Sequence, residues 1–343
     1  MKDIAIVTIY GETNFGNKLQ NYALEQLYLK NNYKVTTIRY IPYQTDNCLK
    51  NVLINWIDTI KKSKRNIKFE NFSQKYLHLS PNKIKLNRPN KYSNYLNSFN
   101  YVSVGSDQVW NDEYLGKYSL EYFLLSNVKP EKRIASAPSI ASNKIRNEEK
   151  FFKELSKYKL LSCREKSGVF ILEKLLNRDV KHLMDPTLAI DKEDWNKLIL
   201  NSKSNIPHEK YIFVYILGDT DQDFLKSIYV SYPNLKIVNI LEKETEYYFS
   251  GPIEFIDYIK NAEIIVTNSF HGLVFAIIYN KKIYVLNRNN TNMNSRIQTL
   301  FQWFEIDIAF DKLTLIKERD YLFIEEKLNE IQKNWNDYIA LIR

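Results

Sequence analysis

The fold is decided by residues 4–30, IAIVTIYGETNFGNKLQNYALEQLYLK. Residues 4–9 form a continuous apolar run rich in β-branched side chains, which is typical of a strand buried on both faces of a parallel sheet. A polar loop follows at 10–16, and apolar residues then recur at helical spacing from 17 to 30. A second β-branched run at 35–40 completes a strand–helix–strand unit, which we expect to be right-handed. This unit predicts an α/β fold built on parallel strands.

The same alternation of strands and helices returns in the second half of the chain. Strand-like runs at 211–217, 236–241 and 263–267 are separated by helical patterns. Because proline at position 186 interrupts the pattern, we predict an N-terminal Rossmann-like domain over 1–187 and a C-terminal one, with a C-terminal helix, over 188–343. Ligands bind at the carboxyl ends of parallel strands, so we expect the two domains to face each other across a cleft that carries the site.

Composition excludes several classes of protein. The chain has 343 residues and is 44% apolar, which is ample for buried cores. Its two cysteines, Cys48 and Cys163, lie far apart, so neither a disulfide framework nor a zinc site is indicated. No nucleic-acid-binding motif is present, and the first strand is followed by neither a dinucleotide fingerprint nor a P-loop. We expect no metal, no cofactor and no nucleic-acid partner.

The formal net charge is +9, and its densest basic run is residues 61–65. Such a run is typical of a solvated helix face, and the alternative is weak contact with the anionic inner face of a membrane. No apolar run reaches the roughly 18 residues that a membrane span needs. The first residues also lack the pattern of a signal peptide. We therefore expect a cytoplasmic protein with at most peripheral membrane contact.

The first candidate site is the loop and helix start at residues 11–20, GETNFGNKLQ. The free N–H groups of a helix start favour an anion or a polar ligand. Glycine allows a close approach of the backbone, and asparagine is a good N-cap, a role that we assign to Asn17. The alternative is a turn and cap without a ligand. The candidate binding residues here are Asn14, Gly16, Asn17 and Gln20.

The second candidate site is residues 104–111, VGSDQVWN, where a strand ends in small, polar and acidic side chains. In this place Asp107 can orient a sugar hydroxyl or act as a base, and Trp110 can stack on a sugar ring. The alternative is a strand cap beside a core tryptophan. The binding candidates here are Gly105, Ser106, Gln108 and Trp110, with Asp107 as a catalytic candidate.

Two further segments carry charged or titratable candidates. Arg164 and Glu165 are binding candidates. Arg164 can hold a carboxylate or phosphate with its planar fork, or it can simply pair with Glu165 or another acid at the surface. His271 stands at a strand-to-helix turn, where it is either a general acid or base near neutral pH or a structural histidine. Its neighbours Ser269, Phe270 and Gly272 are binding candidates. The polar loop that ends at Arg296 is a candidate clamp for a phosphate or carboxylate.

Taken in order, these segments resemble the polysaccharide pyruvyl transferase family over about residues 4–300. The resemblance is carried by six motifs: GNKLQNYAL at 16–24, GSDQVWN at 105–111, REKSG at 164–168, DPTL at 185–188, SFHG at 269–272 and NSRI at 294–297. The family implies two Rossmann-type domains in a GT-B-like arrangement. It also implies transfer of pyruvate from phosphoenolpyruvate to two sugar hydroxyls as a cyclic ketal, with a cell-surface glycan or its lipid-linked precursor as the acceptor.

The resemblance also implies roles for particular residues. His271 resembles the catalytic histidine that protonates the methylene carbon of phosphoenolpyruvate, and Arg164 resembles the arginine that grips the donor. Several members carry arginine two places before that histidine, where this chain has Ser269, so Arg296 is the candidate to supply the missing charge. Two alternatives stay open: a GT-B-like glycosyltransferase that uses a nucleotide-sugar, and a non-catalytic glycan-binding protein.

Overall fold

The computed structural model describes residues 1–10, 13–41, 56–113, 115–218, 222–286, 294–307, 314–316 and 320–342. Within these ranges the side chains at 56–63, 224, 294 and 314–315 are not described. The chain divides into two compact units. The N-terminal unit comprises Met1–Trp56, Ser73–Ile190 and Asn329–Arg343, and the C-terminal unit comprises Ile57–Phe72 and Asp191–Leu328. The division at residue 187 that the sequence suggests stays a proposal.

The first half of the chain alternates strands and helices around a four-stranded parallel sheet in the order β2-β1-β5-β6. Two short parallel pairs lie outside this sheet: β3–β4, which comes between β2 and β5 in the chain, and β7–β8, which follows β6. The elements are β1 (Asp3–Val7), α1 (Phe15–Lys30), β2 (Lys34–Thr37), β3 (Tyr40–Ile41), α2 (Trp56–Tyr76), β4 (Ile84–Lys85), α3 (Pro89–Ser98), β5 (Tyr101–Val104), α4 (Lys117–Phe123), β6 (Arg133–Ala135), α5 (Glu148–Leu155), β7 (Ser162–Cys163), α6 (Lys166–Leu176) and β8 (Lys181–His182).

The second half is built on a sheet in the order β10-β9-β11-β12-β13, in which only the last pairing, β12 with β13, is antiparallel among the described strands. The elements are α7 (Lys192–Ile199), β9 (Tyr211–Tyr215), α8 (Gln222–Ser231), β10 (Lys236–Asn239), α9 (Pro252–Asn261), β11 (Ile264–Thr267), α10 (Phe270–Ile278), β12 (Lys282–Val285), α11 (Asn294–Trp303), β13 (Thr314–Ile316) and α12 (Tyr321–Ala340). The predicted α/β class with two parallel sheets is confirmed.

Burial explains why the apolar runs became central strands. Residues 4–7 of β1 are fully buried, and β1 pairs with β2 on one side and with β5 on the other. All five residues of β9 and all four of β11 are buried as well. Burying an aliphatic side chain of this size stabilises the fold by about 1.5–3 kcal/mol. Because these strands are buried along their length, the polar residues that follow them lie at the strand ends.

The basic run at 61–65 was predicted as a solvated or membrane-facing patch, and for Arg65 that prediction is wrong. Arg65 is buried, and its Nη1 donates to the carbonyl oxygens of Ile240 at 3.1 Å and Tyr248 at 2.7 Å. Lys68 Nζ lies 2.6 Å from Glu254 Oε1. These side chains hold the part of α2 over Ile57–Phe72 to the rest of the C-terminal unit, while the side chains at 61–63 lie outside the described residues. None of the described helices is long and apolar enough to cross a bilayer.

Candidate functional site

In the N-terminal unit, buried hydrogen bonds join the end of β1, the start of α1 and the residues after β5. Thr8 Oγ1 donates to the carbonyl oxygen of Ser106 at 3.0 Å, and Gln20 Nε2 donates to Thr8 Oγ1 at 2.9 Å. The backbone N–H of Ser106 donates to Gln20 Oε1 at 3.1 Å. Because all three residues are fully buried, these bonds lie in a low-dielectric setting and hold the strand ends in one register.

Asp107 lies at the centre of these residues. Its Oδ2 accepts from Asn17 Nδ2, and its Oδ1 accepts from the backbone N–H of Gln108 at 2.8 Å. Arg164 Nη2 lies 3.8 Å from the same Oδ1. The carboxylate is 6% exposed, and its backbone φ is +74°, a conformation that a non-glycine residue rarely adopts. We name this group of residues (Thr8, Asn17, Gln20, Ser106, Asp107, Arg164, Glu165 and Asp185) the polar cluster.

Arg164 makes its shortest recorded contact with an acid that was given no role in the sequence analysis. Its Nη1 lies 2.5 Å from Asp185 Oδ2 and 3.4 Å from Ser106 Oγ, and its Nε lies 3.7 Å from Glu165 Oε1. Burial alone would lower the pKa of Arg164, but the carboxylates of Asp185, Glu165 and Asp107 raise it overall. The alternative of a surface ion pair is therefore wrong: Arg164 is paired, but it is buried.

Glu165 faces away from solvent as well. Its Oε1 accepts from Ser139 Oγ, and its Oε2 accepts from the backbone N–H of Ile140 at 3.3 Å. The thiol of Cys163 donates to Oε2 at 3.7 Å. Burial raises the pKa of that thiol well above its ordinary value, and the Glu165 carboxylate is the next largest cause of the rise. Cys163 is also fully buried, which is typical of a structural cysteine and not of a reactive one.

Gly105 has no room for a side chain. Its φ is +120°, and a Cβ built there would lie 2.2 Å from the carbonyl oxygen of Ser136. We expect Gly105→Ala to lower the free energy of unfolding by about 1–3 kcal/mol, from backbone strain and overpacking. The measurement is urea unfolding, with Gly116→Ala as the control because nothing lies within 4 Å of a Cβ at that position. Equal effects of the two substitutions would contradict this view of the strand end.

Trp110 does not have the predicted position for stacking on a sugar. It is fully buried, and its Nε1 donates to the carbonyl oxygen of Phe123 at 3.2 Å. Its ring packs edge-on against Phe151 and Tyr158, at centroid distances of 6.4 and 6.1 Å. A large apolar ring is more stable in this core than at a wet strand end, so the alternative of a core tryptophan is the correct one.

The start of α1 differs from the prediction by one turn. Asn14 is the N-cap, since its Oδ1 accepts from the backbone N–H of Asn17 at 3.1 Å. Asn17 was predicted in that role, but it lies inside the helix, which frees its amide to bind Asp107. Gly16 lies in the first turn, and the side chain of Lys18 is buried with its Nζ 3.8 Å from the ring centroid of Tyr10.

In the C-terminal unit the turn between β11 and α10 is held by hydroxyl groups. Ser269 is the N-cap of α10, and its Oγ accepts from the backbone N–H of Gly272 at 3.4 Å. Thr267 Oγ1 donates to the carbonyl oxygen of Tyr215 at 2.6 Å and accepts from the backbone N–H of Ser269 at 3.0 Å. A Cβ at Gly272 would lie 2.6 Å from Thr267 Oγ1, which explains the glycine. Ser269 thus caps the start of α10.

His271 lies in the first turn of α10 and is 7% exposed. Its ring stands perpendicular to that of Phe270, with 5.2 Å between centroids. The guanidinium of Arg296, which is 4% exposed, lies 5.6 Å from the Phe270 ring. A helix start carries partial positive charge, so a histidine, an arginine and a helix N-terminus here suit an anionic ligand. We name Ser269, Phe270, His271, Gly272 and Arg296 the histidine cluster; residues 287–293 of the predicted clamp loop lie outside the described residues.

Each unit therefore brings together one group of predicted residues: the polar cluster lies in the N-terminal unit and the histidine cluster in the C-terminal unit. Thr8, Lys18 and Asp185 were missed, although the Asp185–Pro186–Thr187 motif was noted in the sequence. Asp185 Oδ1 accepts from the backbone N–H and the hydroxyl of Thr187, at 3.0 and 2.6 Å, so it caps a short turn while it holds Arg164. Among the described residues, no group of three or more His, Cys, Asp or Glu side chains is arranged to hold a metal ion.

In both units polar residues gather at the ends of parallel strands, which is typical of ligand-binding α/β proteins. The family model "Polysaccharide pyruvyl transferase" matches residues 14–290, and the chain belongs to this family of transferase enzymes. A search of curated proteins finds no matching sequence.

Solved structures similar in fold align over most of the chain at low identity. A UDP-GlcNAc 2-epimerase from Methanocaldococcus jannaschii is 13% identical, with 97% of this chain and 92% of that one covered and a TM-score of 0.49. An α-glucosyltransferase in complex with UDP is 10% identical, with 100% and 94% covered and a TM-score of 0.49. An uncharacterized protein from Klebsiella pneumoniae is 13% identical, with 87% and 88% covered and a TM-score of 0.47.

Proposed function

We propose that this protein transfers pyruvate from phosphoenolpyruvate to two hydroxyls of a sugar, forming a cyclic ketal and releasing inorganic phosphate. Family membership supports the reaction class. The observation that carries the proposal is the histidine cluster, in which a titratable ring in the first turn of α10 is accompanied by a buried arginine. The acceptor that we propose is a sugar of a cell-surface glycan or of its lipid-linked precursor, modified in the cytoplasm, where phosphoenolpyruvate is made.

The chemistry assigns a distinct task to each group. A proton from His271 to the methylene carbon of phosphoenolpyruvate makes the central carbon electrophilic, and one sugar hydroxyl then adds to it. The second hydroxyl displaces phosphate from the same carbon, so two C–O bonds form while one C–O bond to phosphate breaks. Each hydroxyl must lose its proton: we propose that Asp107 accepts that of the first hydroxyl and that the departing phosphate takes that of the second. Exchange with solvent then returns the proton of Asp107 to His271, so the proton count closes. The carboxylate and phosphate of the donor suit Arg296 and the N–H groups at the start of α10.

For Arg164 we propose a positioning role in place of the donor-gripping role that the resemblance implies. Its recorded charged partners are three buried carboxylates, those of Asp107, Glu165 and Asp185. With one cation against three formal anions, this part of the polar cluster repels a further anion. The guanidinium instead fixes Asp107 and Ser106 beside the amides of Asn17 and Gln20.

Ligand-induced stabilisation tests the donor. Phosphoenolpyruvate at 100 times its dissociation constant should stabilise the protein by about 2.7 kcal/mol, because only the folded state binds it. Arg296→Gln should reduce this stabilisation, and Lys226→Gln, at an exposed position in the same unit, should not. The measurement is thermal unfolding with phosphoenolpyruvate and with a panel of nucleotide-sugars. Stabilisation by a nucleotide-sugar alone would replace this proposal with a glycosyltransferase, and glycan binding without either donor would indicate a non-catalytic protein.

A further inference from the structure

A cavity of about 430 Å³ opens between β4 and the start of α3 in the N-terminal unit. It falls within the range of roughly 300–1,000 Å³ that small-molecule sites occupy. None of the residues given above as the polar cluster or the histidine cluster lines it. The described residues that line it all come from the segment Pro81–Tyr95. The cavity is therefore a second place where a ligand can be held.

Four cations line this cavity: Lys83, Lys85, Arg88 and Lys91. All four side chains are exposed, and none of the described residues that line the cavity is acidic. Within the part of the chain that the structure describes, no ion pair is recorded for any of the four. Like charges around one cavity repel one another, and an anionic ligand relieves that repulsion.

The start of α3 and two tyrosines complete the lining. Arg88 is the N-cap of this ten-residue helix, so the partial positive charge of the helix end adds to that of the side chains. Tyr92 and Tyr95 follow at a spacing of three residues and therefore share one helix face. Tyr92 is buried, whereas Tyr95 is partly exposed. Aromatic side chains next to cations favour a ligand that has both an apolar ring face and a negative charge.

We propose that this cavity binds an acidic saccharide, namely a sugar that already carries a pyruvate ketal. The carboxylate would lie among the four cations, and the sugar ring would contact Tyr95. Inorganic phosphate alone satisfies the cations but fills little of the cavity. The inference rests on the proposed function, because that reaction places a carboxylate on a sugar and so makes this ligand. The site would hold the modified part of a glycan chain while a further sugar is processed.

The test is direct binding of a synthetic methyl galactoside that carries a pyruvate ketal, measured by calorimetry on the full chain without donor. Neutralising three cations, in the variant Lys85→Gln/Arg88→Gln/Lys91→Gln, should weaken this binding about tenfold or more, in line with a few exposed ion pairs of up to about 1 kcal/mol each. The methyl ester of the same ketal lacks the negative charge. It should therefore bind the native protein as weakly as the acid binds the triple variant. Added salt should also weaken binding of the acid.

The matched control removes three charges elsewhere in the same unit, at exposed positions on α5, α6 and β8: Lys153→Gln/Lys174→Gln/Lys181→Gln. We expect this control to bind the ketal as the native protein does, and both triple variants to turn over a monosaccharide acceptor normally. Equal binding by the two triple variants would overturn the inference. The inference would also be overturned if these same cations bound galactose phosphate without the ketal, anionic vesicles or RNA.

Failure of this inference is distinguishable from failure of the proposed function. Binding of the ketal through the cavity in a protein that never consumes phosphoenolpyruvate would leave the site standing and remove the reaction. Turnover of phosphoenolpyruvate without any binding of the ketal at the cavity would do the reverse. Tyr95→Leu gives a further measurement, because it keeps apolar volume but removes the ring face. It should weaken binding of the ketal while leaving the dependence on salt unchanged.

Discussion

Replacing His271 with glutamine should lower turnover by about 10²–10⁴-fold, the usual contribution of a general acid or base. Glutamine keeps a polar group of similar size in the first turn of α10, but it cannot deliver a proton to the methylene carbon of the donor. Binding of phosphoenolpyruvate should change much less, since Arg296 and the helix start are intact. The measurements are kcat by phosphate release and donor affinity by thermal shift.

The matched control is His208→Gln, at an exposed position in the same unit, which should keep normal turnover. His271 is 7% exposed, so His271→Ala would also leave space in the packing around Phe270. The glutamine variant separates the two roles because it fills most of that space. Near-normal turnover of a folded His271→Gln protein would remove the catalytic assignment. Loss of folding in the same variant would establish a structural histidine instead.

The strands were predictable because burial on both faces leaves a local signature. The runs that became β1, β9 and β11 are continuously apolar and β-branched, and the ends of each differ from the prediction by only a few residues. Helix α3 was missed, since a polar, asparagine-rich segment with a modest apolar face resembles a loop in sequence. The antiparallel strand β13 was missed for another reason. It has only three residues, and its pairing with β12 depends on a contact distant in sequence that a local pattern does not reveal.

The places of the candidate residues in the fold were predictable where the local sequence marks the end of a strand. Small polar residues after a buried strand point to a strand end, and Asp107 and Ser269 were found in this way. The partners of these residues were not predictable, because they come from distant parts of the chain. Asp185 reaches Arg164 over 21 positions, and Asn17 reaches Asp107 over 90. The position of Trp110 was predicted wrongly for the same reason, since its core neighbours Phe151 and Tyr158 lie far along the chain.

Replacing Arg164 with methionine should lower the free energy of unfolding by about 3–5 kcal/mol, the usual cost of leaving a buried charge without its partner. The 2.5 Å contact with Asp185 is lost, and Asp107 and Glu165 lose their nearby cation. A buried arginine outside the polar cluster provides the control: Arg133 pairs with Glu154 at 2.8 Å in the same unit. Urea unfolding of Arg164→Met and Arg133→Met should show losses of similar size.

Kinetics then separate the two arginines, measured at a temperature where both variants are folded. Arg133→Met should keep a normal kcat, because its ion pair lies outside the polar cluster. Arg164→Met should lower kcat by about 10²-fold, since a misplacement of Asp107 by about 1 Å is enough for such a loss. Its KM for phosphoenolpyruvate should stay within a few fold of the native value. A large rise in KM with kcat unchanged would mean that Arg164 binds the donor itself, in which case the three surrounding carboxylates must move or take up protons when the donor arrives.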